Sequence, residues 1–301
     1  MTAPQHTGTR PWHGVLVATA LPLRADLSVD HDRYAEHCAW LVANGCDGVV
    51  PNGSLGEYQT LTAEERTRVV ETAVAAVGGE RVMPGVAAYG SAEARRWAAQ
   101  ARDAGCAAVM LLPPNAYRAD ERSVLAHYAE VAQAGVPVVA YNNPVDTKVD
   151  LVPELLARLH GEGYVHAVKE FSGDVRRAYR IAELAPDLDL LIGADDVLLE
   201  LAIAGAKGWV AGYPNALPRA CVALYRAAVD GDLATAKKLY EQLHPLLRWD
   251  SRVEFVQAIK ASMDIVGRWG GPVRPPRVPL LPGQEAAVRA ATERAVAAGL
   301  A

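Results

Sequence analysis

Four short segments hold the residues whose types and spacing could do chemistry. The first is His166-Ala-Val-Lys169-Glu170. Lysine is scarce in this chain: six stand against 24 arginines, and none precedes Lys148. A lysine late in an apolar strand would point into a dry pocket, where desolvation penalises the ammonium. An amine whose pKa falls from ~10.4 toward ~7–8 is available as a nucleophile at neutral pH. The plainer reading of the same segment is a strand-end lysine in a salt bridge.

The second segment is Tyr141-Asn142-Asn143-Pro144, where a phenol at a strand end could carry protons. Alone it equally suits a packed aromatic before an ordinary Asn-Pro turn. The third is Gly53-Ser54-Leu55-Gly56-Glu57. Its glycines let backbone N–H groups approach a ligand, and such groups can hold a carboxylate without a cationic side chain. A tight turn is the bland alternative, and the spacing is not that of a dinucleotide fingerprint. The fourth is Gly193-Ala194-Asp195-Asp196. Paired acids suit a metal or an acid–base pair, but a helix N-terminus uses them better as caps, and that reading is favoured.

Something must bring these segments together, and the pattern between them says what. Short apolar runs occur at Gly14–Thr19, Gly48–Pro51, Arg81–Ala88, Ala107–Leu112, Val136–Tyr141, His166–Glu170, Leu188–Ile192 and Gly208–Ala211. Amphipathic stretches of helical period separate them, among them Asp30–Asn44, Ala92–Ala104, Glu121–Gln133, Val152–His160, Val175–Leu184 and Val197–Ala204. Thr62-Ala-Glu-Glu65 opens another as a capping box. Eight strand–helix pairs predict a parallel sheet closed as a (β/α)8 TIM barrel, with strands buried on both faces. In that fold the site lies at the C-terminal strand ends, where all four segments fall. Beyond about Ala216 the chain reads as wholly helical: Arg219–Val229, Leu233–Arg248, Val253–Val266 and Glu285–Ala298. The Pro-rich stretch Gly271–Pro282 parts the last two. The expected division is a barrel over residues 1–230 and a helical appendage over 231–301, packed on it.

Composition narrows the class. The chain has 301 residues, about half of them hydrophobic, 22 % charged, with net charge −5. There is material for a large core and no basic stripe, so no nucleic-acid partner is expected. Met1 to Arg10 is polar and lacks a signal peptide's apolar core. No run reaches the ~18 apolar residues of a membrane span. The four cysteines, Cys38, Cys46, Cys106 and Cys221, are scattered, which argues against a zinc site or disulfide framework. The expectation is a reduced, cytoplasmic protein.

Each segment is weak alone, but their order is specific. Gly-Ser-Leu-Gly-Glu, Tyr-Asn-Asn-Pro and Val-Lys-Glu-Phe-Ser-Gly-Asp at successive strand ends resemble the dihydrodipicolinate synthase/N-acetylneuraminate lyase family, from about His13 to the C-terminal helices. The resemblance implies a class I lyase whose Schiff base forms on Lys169. It gives Tyr141 the part of proton shuttle, with Ser54 relaying protons and helping to hold the substrate carboxylate. Leu55 fills the second motif position, where only its backbone N–H can contribute. Gly193 and Val210 match positions along the substrate's edge. No metal or cofactor is implied, the substrate is a small 2-oxo acid, and the assembly is a homo-oligomer, a dimer or tetramer.

Two departures narrow the reaction. True dihydrodipicolinate synthases carry an arginine two residues after the Tyr-Asn-x-Pro proline; here that residue is Asp146, which would repel a carboxylate. They also have a tyrosine where Asn115 stands, and here Tyr117 is displaced from it by two. Leu112-Pro-Pro-Asn-Ala-Tyr117, Tyr-Asn-Asn-Pro and Gly208-Trp-Val-Ala-Gly-Tyr-Pro-Asn-Ala216 look more like a branch containing 1-pyrroline-4-hydroxy-2-carboxylate deaminases. The expected reaction is therefore dehydration and deamination of that cyclic imine to 2,5-dioxopentanoate. A pyruvate-dependent aldolase, of the dihydrodipicolinate synthase or 2-keto-3-deoxy acid type, is the nearest alternative. A non-catalytic oxo-acid sensor and a phosphate-binding barrel enzyme are more distant ones.

Overall fold

A computed structural model of the chain describes residues 10–301. The polar stretch read above for a missing signal peptide lies, Arg10 apart, outside the described residues. Seven parallel strands form one sheet: β1 (Gly14–Ala18), β2 (Gly48–Val50), β3 (Val109–Leu111), β4 (Val138–Asn142), β5 (Ala167–Glu170), β6 (Asp189–Ile192) and β7 (Gly208–Ala211), in the order β2-β1-β7-β6-β5-β4-β3. Nearly every strand residue is buried, as expected when side chains fill the interior and helices cover the outside.

The third expected strand, Arg81–Ala88, is a correction. It forms no regular ladder and closes the barrel between β2 and β3 through isolated pairings, Val82 beside Val49 and Gly85 beside Met110. Backbone bonds stitch it on both sides: Met83 N–H to Val49 O at 3.0 Å, and Met110 N–H to Pro84 O at 2.9 Å. Pro84 has no N–H to give a ladder. Gly85 passes so near the turn after β2 that a Cβ would lie 2.3 Å from Asn52 O. An ordinary strand cannot make that approach.

The helices follow the expected alternation. The capping box is formed: the Thr62 hydroxyl accepts Glu65 N–H at 3.2 Å, and Thr62 N–H donates to Glu65 Oε2 at 3.0 Å. After β7 come helices at Pro218–Val229, Leu233–Leu247, Phe255–Ile265 and Pro282–Ala297. Among the described residues no helix is long and apolar enough to cross a membrane. All four cysteines are buried and unpaired.

The appendage is fastened to the barrel by buried charge. Glu57, 1 % exposed and in the left-handed region at φ 55°, accepts from Lys260 Nζ at 2.9 Å and from Arg274 N–H at 3.0 Å. Arg274 also pairs with Glu65. The segment that carries Ser54 and the helix Ala63–Val77 are thus held by residues more than 200 positions away.

A buried histidine sits under the same barrel end. Asn215 Oδ1 accepts Ala20 N–H at 2.9 Å, so His37 Nε2, 2.9 Å from that oxygen, must be the donor. Burial pushes the His37 imidazole down to about 4. The unfolded chain takes up this proton below ~6.5 and the folded chain does not, so His37 stabilises above that value and its contribution is lost as pH falls. About 2 kcal/mol should disappear between pH 7 and pH 5 from this residue. Urea unfolding at the two pH values checks this: His37→Gln should flatten the dependence, and an unchanged slope would refute the assignment.

Candidate active site

Register builds the centre of the site. Tyr141 in β4 pairs directly with Lys169 in β5, so alternation sends both side chains to the same, inner face. Lys169 Nζ lies 4.2 Å from the centre of the Tyr141 ring and 5.7 Å from that of Phe171. The two rings meet edge to face at 83°. Their neighbours in the strands, Asn142 and Glu170, point outward and lock the strand ends. Asn142 Nδ2 donates to Glu170 at 2.9 Å, and Glu170 also accepts Ser172 N–H at 2.6 Å. Gly193 backs this arrangement, since a Cβ there would stand 2.4 Å from Glu170 O and 3.1 Å from Lys169 Cγ.

The lysine is not the ion-paired residue of the plainer reading. Among the described residues the lysine ion pairs are those of Lys237 and Lys260. Burial pushes the Lys169 amine below the ordinary lysine range, with Asp250 and Asp195 pulling the other way. Burial and Asp250 push the Tyr141 phenol far above its usual value, so it stays protonated at neutral pH. Its oxygen accepts from Asn143 Nδ2 at 3.3 Å.

These groups border a cavity of about 590 Å³ at the C-terminal strand ends, large enough for a small organic acid. Lys169, Tyr141, Ser54, Leu55, Val210 and Asn115 all line it. Gly193 does not, because it is covered by the Lys169 stem it supports. Tyr117 lies 64 % exposed on the surface of the single chain, away from the cavity lining. Asp146 stands at the rim, held by Asn143 Nδ2 at 2.8 Å.

The reading of Asp195 as a helix cap is also corrected. The turn Asp195–Val197 has no side-chain cap. Asp195 is fully buried and instead accepts from Trp209 Nε1 at 2.8 Å, Gly212 N–H at 3.1 Å and Tyr213 N–H at 3.2 Å. It clamps the turn after β7.

Arg277 and Asp250 are among the residues that border the cavity and were not singled out in the sequence. Arg277 comes from the Pro-rich segment, and its Nη2 donates to Ser54 O at 3.3 Å. Asp250 comes from the turn between helices Leu233–Leu247 and Phe255–Ile265, and burial pushes its carboxyl up to about 6, against the pull of Lys169. The sequence signal for it was a four-residue break, Trp249–Arg252, between two helical patterns.

Comparison with known proteins gives the family. The model of the dihydrodipicolinate synthetase family matches residues 11–295. The chain belongs to that family. A 4-hydroxy-tetrahydrodipicolinate synthase from Methanothrix thermoacetophila is 34 % identical over 281 residues, covering 92 % of this chain and 95 % of the relative. A crystal structure of a putative dihydrodipicolinate synthetase from Pseudomonas aeruginosa superposes with TM-score 0.89 at 31 % identity, covering 94 % and 99 % of the two chains. YagE, an E. coli K12 prophage protein of the same family solved with pyruvate, superposes with TM-score 0.88 at 25 % identity, covering 96 % and 99 %. Solved members of the dihydrodipicolinate synthetase family thus share the whole fold, and the class is that of lysine Schiff-base lyases.

Proposed function

We propose that this chain is a Schiff-base lyase acting through Lys169, and that its reaction is the dehydration and deamination of 1-pyrroline-4-hydroxy-2-carboxylate to 2,5-dioxopentanoate and ammonia. The observation that carries the first part is an unpaired lysine amine with a lowered pKa, packed on a tyrosine ring at a barrel mouth. The second part is supported by Asp146 at the cavity rim, where synthases of the family have an arginine for a second carboxylate.

In this reading the amine of Lys169 attacks the imine carbon C2. Tyr141 and Ser54 move protons as the carbinolamine-type intermediate forms and collapses. The substrate carboxylate rests on the N–H groups of Ser54 and Leu55, with Asn115 and Val210 shaping the far wall and Gly193 keeping the lysine in place. The protonated imine draws electrons from C3, an enamine forms, and the C4 hydroxyl departs as water. The ring C2–N bond breaks as the first intermediate collapses, leaving the nitrogen on C5, and proton shifts from C5 and that nitrogen to C3 and C4 move the unsaturation to a C5 imine. Two waters then enter: one hydrolyses the C2 imine and frees Lys169, and the other hydrolyses the C5 imine to the aldehyde and ammonia. The net change is the uptake of one water. No cofactor takes part, and a homo-oligomer in the cytoplasm completes the reading.

Aldol chemistry with pyruvate is the second reading, favoured by the synthase names of the relatives and by the pyruvate in YagE. Both share the enamine, so products must decide. Purified protein given the hydroxypyrroline carboxylate should release ammonia and 2,5-dioxopentanoate in equal amounts. Pyruvate formation or consumption without ammonia would establish the aldolase instead.

A further inference from the structure

We infer that Asp250 is the acid–base residue for C3 and C4 of the bound substrate, taking a proton from C3 and delivering it to the group that leaves C4. The inference rests on the Schiff-base reading above and assigns it a residue from outside the barrel strands.

Geometry selects this carboxylate. Three acids line the cavity, Asp146, Asp196 and Asp250, and Asp195 adjoins Asp196 in the chain; all but Asp250 are occupied. Asp146 is held by Asn143, Asp196 accepts from the Ser251 hydroxyl at 2.8 Å, and Asp195 has its three donors around the turn after β7. Among the described residues Asp250 has one hydrogen-bond contact, a long one, from Asp195 N–H at 3.4 Å to Oδ2. It is half-buried, borders the cavity, and attracts Lys169 electrostatically without reaching ion-pair distance. A free carboxylate and a free amine that face one cavity, attract and do not touch leave a gap for something between them. Isolated charges in a desolvated pocket are costly, and a substrate joined to one and hydrogen-bonded to the other removes that cost. Gly212 permits the placement, since a Cβ there would lie 2.8 Å from Asp250 Oδ1.

The chemistry balances on this one group. The C3–H bond breaks, its electron pair forms the C2–C3 double bond, and the imine pair retreats to nitrogen, while Asp250 accepts the proton. The enamine then returns its electrons, the C4–O bond breaks, and the Asp250 proton leaves with the hydroxyl as water. The carboxylate is restored. Tyr141 is poorly suited to this step because its phenol is held far above neutral pH and is engaged at the lysine. Asp250, pushed up to about 6, can exist in both forms near neutrality. The titratable groups facing it are Lys169, Tyr141, Asp195, Asp196 and Tyr213.

The test uses pyruvate as probe in deuterated buffer. Borohydride trapping with mass spectrometry reads imine formation, and proton NMR reads exchange at C3. Wild type should trap and exchange, with the exchange rate rising through pH ~6. Asp250→Asn should still trap pyruvate within about threefold of wild type but exchange at least about 10²-fold more slowly, without the inflection. Asp250→Glu should recover part of the rate, and Asp250→Ser serves if the asparagine variant does not fold. Wild-type exchange in a variant that traps normally would overturn the role of Asp250 and leave the Schiff base standing. Failure of wild type to trap pyruvate or any other small 2-oxo acid would overturn both.

Discussion

Lys169→Met should form no borohydride-reducible adduct with any 2-oxo acid and should lose turnover by on the order of 10⁴-fold or more. The expectation follows from what the amine alone supplies in the proposed mechanism: the nucleophile and then, as iminium, the electron sink. No neighbouring group can replace it, because Tyr141 stays a protonated phenol and the other buried lysine, Lys260, is bound to Glu57. Lys169→Arg should be equally inactive, since a guanidinium cannot give up its proton to become a nucleophile. Methionine should leave the protein as stable as wild type or slightly more so. It fills the same volume against Tyr141 and Phe171 and removes a desolvated charge with no ion pair. Activity, trapping and a thermal melt on one preparation separate chemistry from folding. A trapped adduct in Lys169→Met would place the nucleophile elsewhere.

The second large effect concerns stability. Lys260→Met should cost about 3–5 kcal/mol, because it strands Glu57 as a charge 1 % exposed to solvent. Arg274 N–H would still reach it, and Arg277 Nε lies 3.9 Å away, which sets the cost within that range instead of above it. The double variant Glu57→Gln/Lys260→Met should recover most of the loss, since a neutral pair of similar volume no longer carries a charge into the interior. Urea unfolding of the two single variants and the double variant gives the coupling directly. A Lys260→Met loss below about 1 kcal/mol would refute the claim that this pair fastens the appendage. The consequence for catalysis is local: Glu57 ends the loop that begins at Gly53 and carries Ser54, so Lys260→Met should also loosen the proposed carboxylate site and raise KM.

The barrel was legible because its causes are local. Continuous apolar runs bury strands on both faces, helical periodicity covers them, and the Thr62–Glu65 capping box starts its helix where the sequence places it. The strand ends proposed as catalytic were legible only as a set, since Lys169, Tyr141 and Ser54 each had an ordinary structural reading. Where a local rule met a competing one, the reading failed. Arg81–Ala88 has strand composition, but Pro84 lacks a donor and Gly85 must pass close to Asn52. Asp195 sits where a cap belongs, yet its carboxylate is drawn inward by three donors from the turn after β7.

By itself, then, the sequence determined the alternation of strands and helices and the barrel mouth where the candidate residues lie. Only the tertiary structure decided that Lys169 is unpaired, that register sets it against Tyr141, and that Asp250 faces it from a helix turn 81 residues later. The reason is physical. A pKa and an ion pair depend on burial and on which charges come within a few ångströms. Those distances are set by closing a barrel and folding an appendage over its mouth, and no periodicity along the chain encodes them.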